Sequence, residues 1–232
     1  IRRLIQGYVR TIANATIGLE FSTAPQKYLL GVTDDQYDVI VNQTSATSKN
    51  VGGLIGWADG TVSVTNSWFA GTVTSKGRYT GGIVGFVNGT ANITDCLVTG
   101  KVQGNYTDLE ATMYVGGILG GDDKGNWTLT RCFMAGEMSV ADSEKKGVAP
   151  LVGSVVGGKS KKTRALTDCY TTIQDYIFFV YEPDGLADDN KVTVTESCKF
   201  VDTASKENVP KLFVEGSTTW TTDEDGYAVL KF

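Results

Sequence analysis

One pattern is written four times along this chain. Thr80–Gly104 reads TGGIVGFVNGTANITDCLVTGKVQG: an apolar strand opened by glycines, a turn at Asn88-Gly89-Thr90, then a second strand closing on a Gly and a branched apolar residue. Val51–Ser75 (VGGLIGWADGTVSVTNSWFAGTVTS) and Val115–Val140 (VGGILGGDDKGNWTLTRCFMAGEMSV) repeat it. Val152–Gln174 (VGSVVGGKSKKTRALTDCYTTIQ) repeats it in a more worn form. The leading glycines are Gly52, Gly81, Gly116 and Gly153, at spacings of 29, 35 and 37 residues. Self-similarity at a period of roughly 20–50 residues is the mark of stacked architectures.

Aligned this way, the repeats form columns. Leu54, Ile83, Ile118 and Val155 share one; Ile55, Val84, Leu119 and Val156 the next; Val64, Ile93, Leu129 and Leu166 a third; Val73, Val102 and Met138 a fourth. A solenoid rung can bury its inner face only against its neighbours, so apolar character must persist down a column. Gly71, Gly100 and Gly136 form a further column, read as a bend or a positive-φ position on every rung. Apolar pairs at helical spacing are not sustained, so the segments read as strands. The expected fold is all-β: a parallel β-solenoid, or β-helix-like array, of four to five rungs with a cap at each end.

The flanks do not fit the repeat. Residues 1–50 read as an N-terminal cap, with strand character in Arg10–Leu19 and Tyr37–Asn42; such a cap covers an edge that would otherwise invite pairing. Residues 51–174 are the repeats, at 51–75, 80–104, 115–140 and 152–174. Residues 175–232 read as a partial fifth rung and a C-terminal capping hairpin. Here Tyr176–Tyr181 reads as a buried strand, and Val192–Ser197 (VTVTES) echoes Val62–Ser67 (VSVTNS). Trp220–Phe232 reads as the closing hairpin around Asp225-Gly226.

Composition narrows the function. The chain carries a net charge of −5 without a basic stripe, which argues against nucleic acid. It has no apolar run long enough to span a membrane. It holds no His, which removes Ser-His-Asp and Cys-His catalysis and His-ligated metals. It opens on Ile1 with no signal-type segment, as expected of a mature form or a piece of something longer.

The repeats resemble the GLUG motif family, named for a Gly-Leu-hydrophobic-Gly core. That core stands here as Gly53-Leu54-Ile55-Gly56, Gly82-Ile83-Val84-Gly85, Gly117-Ile118-Leu119-Gly120 and Ser154-Val155-Val156-Gly157. The family's continuation matches Asn66-Ser67-Trp68 through Gly71, Asp95-Cys96-Leu97 through Gly100, and Arg131-Cys132-Phe133 through Gly136. The fourth unit has Asp168-Cys169-Tyr170 without the closing Gly. The tail, Trp220 to Gly226-Tyr227-Ala228-Val229-Leu230, is similar to a Trp…Gly-Tyr-Pro-x-Leu ending, with Ala228 where Pro is usual. The resemblance covers about half of the chain. It implies a module of large secreted or surface-bound bacterial proteins, some of which flank the protease domain of immunoglobulin-A-specific metallopeptidases. It implies no reaction.

The residues that carry chemistry read mostly as structural. Cys96, Cys132 and Cys169 share a column with Ser67 above and Ser197 below, while Cys198 falls one place off it. Buried free thiols are expected, because Cys behaves as a small hydrophobe. Asp122-Asp123 reads as a turn. No cofactor is implied. Glu182, Asp184 and Asp188 space oxygen ligands around Gly185 in the manner of a calcium loop, but a short one without the closing bidentate Glu. Asn14, Asn42, Asn88, Asn92, Asn105 and Asn126 each precede x-Thr, as glycosylation acceptors do; turn Asn placed before strand Thr gives the same pattern. Ice binding needs a Thr-x-Thr face on every rung. Thr72-Val73-Thr74 is followed by Lys101-Val102-Gln103 and Glu137-Met138-Ser139, so that face is absent.

Trp68, Leu97, Phe133 and Tyr170 form the column after the Cys and Ser ladder. Counting back from Val73 by twos points them outward; counting forward from Val64 points them inward. A bend near Thr65-Asn66 reconciles the two. The outward count is preferred because Asn66, Asp95, Arg131 and Asp168 cannot be buried as a column without partners. An exposed apolar stripe marks a contact with a partner. The leading expectation is therefore a non-catalytic, secreted or cell-surface module, an adhesin or spacer facing a host protein or glycan. The second is an accessory domain of a larger secreted protease or carbohydrate-active enzyme, touching a neighbouring domain of the same chain.

Overall fold

Polar and apolar residues alternate along Thr61–Thr65, and alternation gives a strand one dry face and one wet face. Thr61, Ser63 and Thr65 are exposed and Val64 is buried. The same alternation in Thr90–Thr94, Asn126–Thr130, Arg164–Thr167 and Thr193–Val194 stacks these segments into one five-stranded parallel sheet. The computed structural model describes residues 19–20, 40–43, 50–105, 112–141, 147–155, 161–202, 213–218, 220–222 and 228–230.

Four further parallel sheets complete each rung. Asn50–Gly52, Tyr79–Gly81, Tyr114–Gly116 and Val148–Ala149 form one, and Ile55–Ala58, Val84–Val87 and Leu119–Asp122 the next. Trp68–Phe69, Leu97–Val98, Phe133–Met134, Tyr170–Thr171 and Lys199–Phe200 form another. In the last, Thr72–Ser75, Lys101–Gly104 and Glu137–Val140 are joined at the N-terminal edge by Ile40–Gln43, on which Leu19–Glu20 lies antiparallel. The chain is thus an all-β parallel solenoid, as the repeats predict. No described helix is long and apolar enough to cross a membrane.

The interior is made of in-register columns. Val64, Ile93, Leu129, Leu166 and Val194 follow one another, as do Val41, Val73, Val102 and Met138. Ile83, Ile93, Ile118 and Leu129 have no solvent exposure; full burial of each such side chain stabilises the fold by about 1.5–3 kcal/mol.

Three expectations about register and strand fail, each for a local reason. The fourth core unit is Pro150-Leu151-Val152-Gly153, not Ser154-Val155-Val156-Gly157. Leu119 bridges Val152, Ile118 donates to the Leu151 carbonyl, and Gly116 pairs Ala149. Both stretches offer two apolar residues before a Gly, and the sequence alone does not choose between them; Val156 lies outside the described residues. Next, Cys198, not Ser197, lies beside Cys169: Tyr170 pairs Lys199, and the Cys169 N–H points at Cys198 Sγ at 3.4 Å. Here the corner is one residue longer, closed as a turn by Cys198 N–H to the Thr195 carbonyl at 3.0 Å. Finally, Tyr176–Tyr181 is not a buried strand. Ile177 is 94% exposed, while Phe179 and Val180 alone continue the interior columns, through hydrogen bonds from Leu151 and Val152 to Phe179 and the bridge from Val152 to Val180.

The glycine column has a cause different from the expected turn. A Cβ on Gly100 would sit 1.9 Å from the Gly71 carbonyl oxygen, and one on Gly136 1.9 Å from that of Gly100. Neither has a positive φ. Close approach of one rung to the next requires these glycines.

A charge lies inside this core. The sequence pattern places Asp122 in a turn, yet it ends a strand and pairs in register with Val87, an interior position. Arg164 pairs with Trp127 on the adjoining sheet. The two side chains meet with no exposure of either. Trp127 Nε1 donates to Asp122 Oδ2 at 2.6 Å and Arg164 Nη1 donates to the Asn190 carbonyl at 2.7 Å, so this buried pair is hydrogen-bonded on both sides.

Candidate functional site

The corner between two sheets decides which way the aromatic column points. Asn66, Asp95, Arg131 and Asp168 all adopt φ of 51–52°. This left-handed conformation is uncommon for residues other than glycine and best tolerated by Asn and Asp, which suits three of the four. The chain turns sharply there, so the strand before the corner and the strand after it both keep their apolar phase. The bend reconciles the two counts. Val64 points in before it, the Cys column points in after it, and Trp68, Leu97, Phe133 and Tyr170 point out.

Outward does not mean bare. Leu97 and Phe133 are each only 2% exposed, while Trp68 and Tyr170, at the two ends of the stripe, are half-buried. The cover is the chain's own C-terminal segment. Phe213 and Trp220, both fully buried, join Leu97, Phe133 and Val201 in an apolar cluster separate from the solenoid interior. The Phe213 ring lies 5.6 Å from that of Phe133 and 5.1 Å from that of Trp220. Tyr170 meets Phe133 edge-on at 6.2 Å.

Two polar anchors fix the segment. Trp220 Nε1 donates to the Asp95 carbonyl at 3.1 Å, and Arg131 Nη2 donates to the Phe213 carbonyl at 3.1 Å. Arg131 in turn holds Asp95 through Nε–Oδ1 at 2.7 Å. A basic residue thus interrupts an Asn and Asp column in order to brace its neighbour and grip the strap. The segment is internally tied as well, by Ser217 N–H to the Val214 carbonyl and Trp220 N–H to Ser217 Oγ, both at 2.9 Å. Trp220–Thr222 pairs antiparallel with Ala228–Leu230, so the hairpin forms. It makes its own two-stranded sheet, and its Trp220 is buried on the flank with Leu97 and Phe133. At the far end, Val194 is 43% and Phe178 38% exposed.

One hint of this site is legible in the sequence, a charged residue in a turn column beside an opposite charge. Nothing in the repeat points to Phe213, because its contacts with Arg131 and Phe133 reach back 82 and 80 positions across irregular spacing.

The other candidates fall apart or turn inward. Cys96, Cys132, Cys169 and Cys198 are free and buried. The Sγ atoms of Cys96, Cys132 and Cys169 each face backbone carbonyls. Burial pushes the Cys132 thiol well above its usual range. The three proposed calcium ligands do not converge. Glu182 Oε1 accepts the Val192 N–H at 2.6 Å and Asp188 pairs with Lys191 at 2.8 Å, while Asp184 stays exposed; among the described residues no three acidic, Cys or His side chains form a metal cluster.

The sequons divide. Asn92 and Asn126 stand on the wet face of one sheet, where Thr128 Oγ1 donates to Asn92 Oδ1 and the Thr163 N–H to Asn126 Oδ1. Their Asn-x-Thr spacing follows from strand alternation. Asn88 is exposed in its turn and donates to Asp59, and Asn105 is half-buried. Asn42 lies in the edge strand Ile40–Gln43, and Asn14 falls outside the described residues. An open cleft of about 540 Å³ lies beside Glu137, Gln174, Asp175 and Asp202.

A family model described as the GLUG motif matches residues 76–103, the second repeat. The chain carries a GLUG motif. By structure, the chain is similar to one described as the crystal structure of a "putative immunoglobulin A1 protease" from Bacteroides ovatus, with a TM-score of 0.51 and 19% identity, over 84% of this chain and 55% of that one. The chain thus spans about half the length of that structure, and the likeness is one of fold. A comparison with curated proteins gave no match.

Proposed function

We propose that this GLUG-motif solenoid is a non-catalytic module of a secreted or cell-surface protein, an adhesin or spacer whose flank engages a host protein or glycan. One observation carries the reading: an outward aromatic stripe, separate from the interior, that holds a turned segment between Trp68 and Tyr170. Its half-buried ends leave apolar surface at the rim of that contact, where partners bind. The groups best suited to chemistry point the other way, since the thiols, Asp122 and Arg164 are all sealed in the core.

The second reading is an accessory domain of a larger secreted protease or carbohydrate-active enzyme, and the likeness to about half of a protease-described chain favours it. Surface plasmon resonance of the intact chain against panels of host glycans and host surface proteins separates the two. Saturable binding that falls at least tenfold in Trp68→Ala and Tyr170→Ala supports the first. Binding to none of them, together with capture by the other domains of the parent protein, replaces it with the second.

A further inference from the structure

The flank is itself a receptor for a linear segment, and Phe213–Trp220 is the occupant seen in it. We infer that the same groove accepts this segment in trans, from a second copy of the chain, so that copies join by exchanging their C-terminal segments. The inference rests on the reading of the flank as a recognition surface.

Four features point to exchange. The hold is made by side chains and by two hydrogen bonds that reach it from the corner, Trp220 Nε1 to the Asp95 carbonyl and Arg131 Nη2 to the Phe213 carbonyl. Among the described residues, no strand of the solenoid forms a ladder with Trp220–Thr222. The segment can therefore leave without breaking a sheet. Its apolar cluster is also distinct from the interior cluster, so the solenoid core stays intact when the groove empties.

Third, the groove left behind would expose Leu97 and Phe133, two large apolar side chains now only 2% exposed. A vacated groove of that kind is costly to leave wet, and the segment of another copy fills it with the same contacts. Exchange of an identical element is a low-cost route to association for this reason. Fourth, ten residues lie between Asp202 and Phe213 in the sequence, and a contour length on the order of 35 Å is enough to reach a neighbour. The ligand class follows from the anchors: a short, turned peptide, closed by Ser217 N–H to the Val214 carbonyl, with two aromatic side chains seven residues apart, the first offering its carbonyl to a guanidinium and the second an indole N–H to a carbonyl.

The test uses the full chain. A fluorescein-labelled peptide of residues 211–222 is titrated by anisotropy into Phe213→Ala/Trp220→Ala, whose groove lacks its anchors, and into the wild type. Saturable binding to the double variant, at least tenfold weaker binding to the wild type, and loss of binding when the peptide itself carries Trp220→Ala are expected. No binding by a double variant that keeps its β-type circular dichroism overturns the inference, and so does equal binding by both proteins. If the double variant does not fold, wild-type chains with and without an affinity tag are mixed at high concentration, warmed below the melting temperature, and analysed by light scattering after pull-down. Mixed dimers that the free peptide dissociates support exchange; an absence of mixed species overturns it. A chain that binds this peptide but no host ligand loses the adhesin reading alone.

Discussion

The guanidinium of Arg164 grips the carboxylate of Asp122 at two points inside the solenoid, Nε to Oδ2 at 2.8 Å and Nη2 to Oδ1, with neither side chain exposed. Breaking such a pair leaves one charge buried alone. Replacing both partners by apolar groups removes the problem. Arg164→Met is therefore expected to lower the unfolding free energy by about 3–5 kcal/mol, and Asp122→Leu/Arg164→Met to recover most of it. Urea unfolding of the two variants measures this. A single variant as stable as the wild type would show that the pair is relaxed by water.

Much of the array was legible because a solenoid repeats its own inner face. The columns through Val64 and Val73 could be read from strand alternation alone, and the structure extends them to Val194 and Val41. Legibility failed where two phases offered equivalent residues, as at Leu151-Val152-Gly153 against Val155-Val156-Gly157. It failed where Glu196 adds a residue at a corner. The stripe's direction was legible through the polar column beside it, whereas its cover was not, since Phe213 and Trp220 belong to no period. Asp122 misled because Asp favours turns in general, and its partner lies 42 positions away.

The left-handed corners make a second test. Asp168 has φ of 51° and a half-buried side chain. A β-branched residue there suffers the full Cβ conflict, about 1–2 kcal/mol. Asp168→Val should fall by that amount, while Asp168→Gly should hold or gain slightly. Equal melting of the two would mean that the corner relaxes out of the left-handed region.

Tyr79 gives the fold an alkaline limit. Burial raises its hydroxyl to about 12, although the neighbouring Arg78 pulls the other way. In the unfolded chain a tyrosine ionises near 10. The neutral ring's contribution is therefore fully present below about pH 10 and is lost as pH rises toward 12. Phenolate absorbance should show this tyrosine titrating last, and Tyr79→Phe should flatten the stability loss in that window. A wild-type titration complete near pH 10 would show Tyr79 exposed.

The thiol ladder should be silent in the folded protein. All four cysteines are buried, with Cys96, Cys132 and Cys169 fully so, and a thiol sealed from solvent is out of a reagent's reach. A disulfide-exchange reagent should therefore label none of them in buffer and four after guanidine is added. Fast labelling in buffer would place the column at the surface and would contradict the register that sets Cys198 beside Cys169.

Glycines of two kinds make the last prediction. Gly60 has φ of 83° and nothing within 4 Å of an added Cβ, so alanine meets only backbone strain. Its expected cost is about 1–2 kcal/mol. Gly100 has no positive φ, but its added Cβ would lie 1.9 Å from the Gly71 carbonyl oxygen, a backbone atom that cannot rotate away. Adjacent rungs sit about 4.8 Å apart, so the clash is relieved only by prising open the ladder between them, which breaks hydrogen bonds on several faces at once. Gly100→Ala should therefore cost more than Gly60→Ala by several kcal/mol, among the severe single changes, and should leave the chain partly unfolded at room temperature. Thermal melts by circular dichroism compare the two directly. If Gly100→Ala melts no lower than Gly60→Ala, the glycine column is kept for its turn and not for the closeness of the rungs.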